Sequence, residues 1–226
     1  MKLSETIANK IIKLILKIIC KVDSTELKKI PDKGPYIIAI NHTNFLEVPI
    51  FYTFLQPRKV IGIAKRETWD NKFSRWLANS WDAIPLDREG ATVEAFRKAY
   101  KALLNSYFLV IAPEGTRNKT GRLREAKSGI ISIAIKANVP VIPVAHYGGE
   151  KLAANLKRIK RTQFTIKVGQ PIILNTLERV DQAKRKYFVD QLMYRIAELL
   201  PKKYRGAYAE IGSISKKDIN DWRIDE

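Results

Sequence analysis

One repeated unit constrains this chain more than any other feature: a short apolar run, a polar turn, then a stretch of helical character. Tyr36–Ile40 (YIIAI) leads through Asn41–Asn44 into a helical segment over 47–55. Lys59–Ala64 (KVIGIA) leads into the tryptophan-rich stretch 69–81, and Ala83–Leu86 into a helical segment over 88–104. Phe108–Ile111 is followed by the long polar loop 112–127 and a helical segment over 128–138. Val139–Val144 and the alternating Phe164–Val168 supply two more strands, and 176–200 reads as a helix stopped by Pro201. Strands that alternate with helices pack as a largely parallel sheet covered by helices. The expected fold is therefore α/β, with a mixed central sheet in one domain. In such sheets chemistry sits beyond the carboxyl ends of the strands. The turns to inspect are thus 41–47, 65–67, 87–89 and 112–127.

The N-terminus is of another kind. Residues 4–21 (SETIANKIIKLILKIICK) place Lys10, Lys13, Lys17 and Lys21 along one side of a helix, with Ile11, Ile12, Ile15, Leu16, Ile18 and Ile19 over much of the rest. Such a helix either packs on its own domain with its lysines snorkelling, or lies in a membrane surface. Lysines interrupt every apolar run before it reaches the ~18–20 residues of a membrane span, and there is no small-residue cleavage signature. The expected division is an amphipathic helix in 1–30, a domain over 31–205, and a polar tail over 206–226.

The formal net charge of +18 demands an acidic partner, nucleic acid or anionic lipid. Basic clusters such as Lys157–Arg161 and Lys184–Lys186 lack any accompanying zinc-finger or RNA-binding signature. Nucleic acid is therefore not the expected partner. A single cysteine, Cys20, rules out an internal disulfide. Two histidines without HExxH or CxxC spacing give no reason to expect a metal, and no cofactor is expected.

Two turns carry chemistry. In NHTNFLE, Glu47 follows His42 by five residues. A carboxylate reaching back to the imidazole Nδ1 would fix its tautomer and let Nε2 act as a general base on an alcohol. The bland alternative is a histidine that merely caps the turn. In APEGTRN, Pro113 and Gly115 shape a tight loop, Arg117 offers a planar fork to a phosphate, and Glu114 could anchor that arginine or the loop backbone. Gly115–Gly121 is not a P-loop, because its glycine spacing is one residue too long and Arg122 replaces the lysine.

Taken together, these segments resemble the glycerolipid acyltransferase family that includes 1-acyl-glycerol-3-phosphate acyltransferase. Four blocks match in order over residues 36–145: Asn41, His42 and Glu47; Ile84–Arg88 (IPLDR), with Lys65 upstream; Pro113–Arg117 (PEGTR); and Val139–Val144, which contains Pro140. The resemblance implies transfer of a fatty acyl chain from acyl-CoA or acyl carrier protein to a lysophospholipid, yielding phosphatidic acid when the acceptor is 1-acyl-sn-glycerol-3-phosphate. His42 would be the base and Glu47 its support. Lys65, Arg88 and Arg117 would clamp the phosphate, and Glu114, Gly115 and Thr116 would shape that clamp. No acyl-enzyme is implied, and no GxSxG serine exists to form one. Another lysolipid acceptor, such as a lyso-ornithine lipid, or a non-catalytic lipid-binding homologue, stays open.

The resemblance also gives the N-terminal helix a task. Lys10, Ile11, Lys13, Ile15, Lys17 and Ile18 would meet an anionic membrane, with the protein peripheral on the cytoplasmic face of the cell membrane. The 69–81 stretch is a candidate lining for an acyl tunnel. Two positions leave the family pattern: Glu47 stands where Asp is usual, and Ala112 where a bulky aromatic is usual. On an unchanged turn Glu47 would overshoot the imidazole by about 1 Å. Shortening it to Asp is accordingly expected to keep or raise activity.

Overall fold

In the computed structural model the described residues are 3–86, 92–174, 180–210 and 222–223. The elements run α1 (Leu3–Ile19), β1 (Cys20–Asp23), β2 (Tyr36–Ile40), α2 (Glu47–Phe54), β3 (Val60–Lys65), α3 (Lys72–Ser80), β4 (Ile84–Leu86) and α4 (Thr92–Leu104). They continue β5 (Phe108–Ile111), α5 (Gly129–Ala137), β6 (Val141–Tyr147), α6 (Leu152–Lys157), β7 (Thr162–Val168), β8 (Ile173–Leu174), α7 (Gln182–Glu198) and β9 (Trp222–Arg223).

Seven strands form one sheet in the order β1-β7-β6-β2-β5-β3-β4. All neighbours are parallel except β6 and β7. The expected mixed, largely parallel sheet is therefore present. β2 sits at its centre and alternates strictly. Ile37 and Ala39 face a core shared with α4, α5 and α7, while Ile38 and Ile40 face a second core shared with α1 and α2. A strand buried on both faces needs an unbroken apolar run, which is what YIIAI supplies.

Several elements differ from the sequence-based reading. Cys20–Asp23 is a strand rather than the end of the N-terminal helix. Its backbone is claimed by β7 (Cys20↔Thr162), a partner far away in sequence. The helix expected over 69–81 starts at Lys72, because the Asn71 side chain accepts from the amides of Phe73 and Ser74 and sets the first turn there. The fifth predicted strand starts two residues later, at Val141, and runs on to Tyr147, which carries His146 into the sheet. α6 is too short, and with Ala153, Ala154 and Leu156 exposed too apolar on its outer side, to have shown a helical period.

Helix α1 has two apolar faces. Ala8, Ile12 and Leu16 are buried in the second core, and Asn9 accepts a hydrogen bond from the Trp81 indole at 2.9 Å. The opposite face leaves Leu3, Ile7, Ile11, Leu14, Ile15 and Ile18 exposed, beside exposed Lys10, Lys13 and Lys17. Packing and exposure thus share one helix, where the sequence posed them as alternatives. Among the described residues, no helix is long and apolar enough to cross a membrane.

The segment after α7 is packed as far as Tyr208. Tyr204 and Tyr208 are buried, and the Leu123 amide donates to the Tyr204 carbonyl at 2.9 Å. The Tyr208 hydroxyl accepts from the Ala126 amide (3.1 Å) and donates to Asp190 on α7 (2.8 Å). This segment therefore braces the 112–127 loop from beneath.

Candidate active site

The parallel strands β2, β3, β5 and β6 end on one side of the sheet, and their turns converge there. Asn41 and His42 leave β2, whose Ile40 pairs with Val144, so this turn lies level with His146 of β6. Asn41 is buried and clasps the backbone of His146 from both sides. Its side-chain amide donates to the His146 carbonyl (2.9 Å) and its carbonyl oxygen accepts from the His146 amide (2.8 Å). The His146 Nε2–H in turn donates to the Asn41 carbonyl at 2.6 Å. This lock, between residues 105 apart, sets where the next residue, His42, begins.

His42 Nδ1 donates to Glu47 Oε2 at 2.6 Å. Glu47 is wholly buried, whereas the His42 side chain keeps 21% of its surface open. The other carboxylate oxygen, Oε1, accepts from the Asn44 amide (2.6 Å), the Thr43 hydroxyl (2.9 Å) and the Thr43 amide. The turn is thus wrapped around the full length of a glutamate, and the expected overshoot is absorbed by the backbone of residues 43–44. Burial opposes ionisation of Glu47. The imidazoles of His146 and His42 and the Asn44 amide outweigh it and hold the carboxyl below its ordinary value. His146 goes the other way: full burial pushes it below the usual imidazole value, against the pull of the Glu47 carboxylate. Its ring is stacked on Phe164 with centroids 5.0 Å apart. His146 was visible in the sequence only as the second histidine. Its place two residues past the predicted end of a strand was the one available signal.

The 112–127 loop meets this turn through Glu114. Its Oε1 accepts from the His42 amide (2.7 Å) and its Oε2 from the Arg124 amide (2.9 Å). The Asn118 amide donates to the His42 carbonyl at 2.8 Å. Glu114 therefore holds the His42 backbone rather than facing a ligand. Burial raises its carboxyl to about 7, against the two amides it accepts from. Pro113 is buried, and its carbonyl accepts from the Lys127 amide at 2.9 Å. Gly115, at φ +66, takes a left-handed turn that lets the Lys127 side chain lie across it.

Lys65 ends β3, beside β5, on the same side of the sheet as His42. Arg117 is exposed on the loop. Neither makes a hydrogen bond or ion pair among the described residues, so both cations are available. Thr116 lies between Gly115 and Arg117, half-buried. Pro140 stands just ahead of β6, where its carbonyl accepts from the Ile37 amide at 2.9 Å. Arg88 lies outside the described residues. The basic rim also includes Arg122, Arg124 and Lys127, all exposed; sequence reasoning passed over them because nothing distinguished them from a solvated loop. Among the described residues no group of three or more His, Cys, Asp or Glu could hold a metal ion. Trp81 stacks on Tyr52 (4.6 Å) within the core, while Trp69 lines an open cleft of about 510 Å³ with Ile61, Ala78 and Ile84.

A protein-family model described as Acyltransferase matches residues 21–147, more than half of the chain, a span that includes His42, Glu47, Glu114 and His146. The chain belongs to the acyltransferase family. A 1-acyl-sn-glycerol-3-phosphate acyltransferase from Bacillus subtilis is 24% identical over 161 residues, covering 71% of this chain and 78% of that protein. A protein of the same name from Cocos nucifera is 28% identical over 170 residues, 73% of this chain, so the chain matches only 54% of that relative's length. The crystal structure of the 1-acyl-sn-glycerophosphate (LPA) acyltransferase PlsC from Thermotoga maritima superposes with a TM-score of 0.62 at 22% identity, covering 88% of this chain and 82% of that one. The last likeness concerns the fold. His42 and Glu47, which follow β2, and Pro113–Arg117, which follow β5, lie within the matched residues.

Proposed function

We propose that this acyltransferase-family protein moves a fatty acyl chain from acyl-CoA or acyl carrier protein to the free hydroxyl of a lysophospholipid. 1-acyl-sn-glycerol-3-phosphate is the acceptor and phosphatidic acid the product. The observation that carries the reading is the His42–Glu47 pair: an imidazole with a buried, ionised carboxylate 2.6 Å from Nδ1 and its own ring partly open. With Nδ1–H held by Glu47, Nε2 presents a lone pair. It accepts the hydroxyl proton as the acceptor oxygen bonds to the thioester carbonyl carbon. When the tetrahedral centre collapses, the C–S bond breaks and the imidazolium returns its proton to the leaving thiolate. No acyl-enzyme forms. Lys65 and Arg117, with Arg88, neutralise the acceptor phosphate.

The lipid acceptor must be met at a bilayer. The outward face of α1, with six exposed aliphatic residues beside three exposed lysines, supports a peripheral, monotopic seat on the cytoplasmic face of the cell membrane. Purified protein tested against a panel of donors and lysolipid acceptors checks the reading. Turnover of lysophosphatidate is expected, with a drop of at least about 10²-fold in His42→Ala and unchanged vesicle binding. A His42→Ala variant that turns over like wild type contradicts the mechanism. Turnover of another lysolipid without lysophosphatidate contradicts the acceptor.

A further inference from the structure

The turn between α6 and β7 breaks a local rule without any return inside the molecule. The helix closes with a Schellman arrangement: the Lys160 amide donates to the Asn155 carbonyl (2.9 Å) and the Ile159 amide to the Leu156 carbonyl (3.1 Å). The residue that must turn left-handed in this motif is ordinarily glycine. Here it is Ile159, a β-branched residue at φ +53. Strain of this kind persists where something repays it. Yet the Ile159 side chain is 97% exposed, and the neighbouring Leu156 is 47% exposed. Among the described residues almost nothing covers Ile159, and Leu156 is only half covered.

The surroundings are wholly basic. Lys157, Arg158 and Lys160 flank Ile159, no acidic residue occurs from 151 to 161, and none of the three cations is in an ion pair among the described residues. Arg161 fastens the turn to the end of α1, its Nε and Nη2 donating to the Cys20 carbonyl at 3.1 and 2.6 Å. That end of α1 carries Ile18, 64% exposed, and Lys17. The turn also stands at the catalytic end of the sheet. β7 runs antiparallel to β6 with Ile166 opposite His146, so the chain preceding Thr162 lies further out on the side where the His42 turn opens.

We propose that the Lys157–Arg161 turn is a second membrane anchor, with Ile159 inserting between the headgroups of an anionic bilayer while Lys157, Arg158 and Lys160 bind their phosphates. An aliphatic tip ringed by cations matches an anionic lipid surface. The cost of a left-handed isoleucine is then recovered in the bilayer. With α1 it gives two points of attachment, which set how the open end of the sheet meets lipid. The inference rests on the membrane-surface reading above.

The test uses the full chain and vesicles of phosphatidylcholine with or without phosphatidylglycerol. Ile159→Gly is expected to unfold at a higher temperature than wild type, because the strain is gone. It should partition onto anionic vesicles about tenfold more weakly. A fluorophore on Ile159→Cys, with Cys20 buried and unreactive, should shift to the blue on anionic vesicles. Equal partitioning of wild type and Ile159→Gly overturns the second anchor while leaving the α1 reading intact. So does a dye that responds to an acidic carrier protein but not to vesicles. Absence of vesicle binding by wild type itself overturns both, and turnover of a soluble short-chain acceptor tells whether acyl transfer survives.

Discussion

Replacing Glu47 with aspartate separates two accounts of the first turn. The family resemblance favours aspartate, the usual residue there, and implies that activity is kept or raised. The structure argues the reverse. Glu47 divides its two oxygens between unlike tasks. Oε2 holds His42 Nδ1 at 2.6 Å, and Oε1 caps the Thr43 and Asn44 amides and the Thr43 hydroxyl. Removing one methylene withdraws the carboxylate by about 1 Å, so it can keep the amides or the imidazole but not both. A misplacement of that size at the reacting centre is worth about 10² in rate, or about 2.7 kcal/mol of barrier. Losing a hydrogen bond to a charged group costs about 1.5–3 kcal/mol of stability. Glu47→Asp should therefore lower kcat about 100-fold, leave KM for the acceptor nearly unchanged, and reduce stability by about 2 kcal/mol. Thiol release from acyl-CoA gives the first two quantities and urea denaturation the third. A variant with kcat within about threefold of wild type would refute the claim that this turn is built for glutamate.

Two further predictions follow from the loop that carries Glu114. Its carboxyl, moved by burial from 4.5 to about 7, binds its proton more tightly in the folded state. The stability this contributes is full below pH 4.5 and lost as pH rises through 7, to a total of up to about 3 kcal/mol. Glu114→Gln removes that dependence, so the stability of the variant relative to wild type should rise by about that amount between pH 4.5 and 8; a gap that does not vary with pH contradicts it. Gly206, at φ +49, lies so close to the loop that an added Cβ would stand 2.1 Å from the Leu123 carbonyl oxygen. Gly206→Ala should cost about 2–3 kcal/mol, and a denaturation midpoint equal to wild type would show that the segment does not brace the loop.

Much of the site is local and was legible for that reason. His42 and Glu47 are five residues apart, and Pro113–Arg117 is one unbroken run, so a motif can be read without knowing what surrounds it. The central strands were legible because full burial on two faces demands continuous apolar runs. β1 was not, because four residues (CKVD) become a strand only when β7 offers a partner. The role of Glu114 was half legible. Its motif marked it for the phosphate clamp, but its two backbone partners, at residues 42 and 124, assign it to the frame of His42.

The sequence by itself determined the order of the chemical blocks, the alternation that makes the sheet, and an N-terminal helix both basic and apolar. Those are matters of composition and spacing along the chain. Tertiary structure decided which face of α1 is spent on the core and which is left exposed, since only packing against α2 and Trp81 tells the two apolar faces apart. It also decided that Glu47 fits. Side-chain length has meaning only against the distance to be spanned, and the Asn41–His146 lock and the Glu114 hold on the His42 backbone help set that distance.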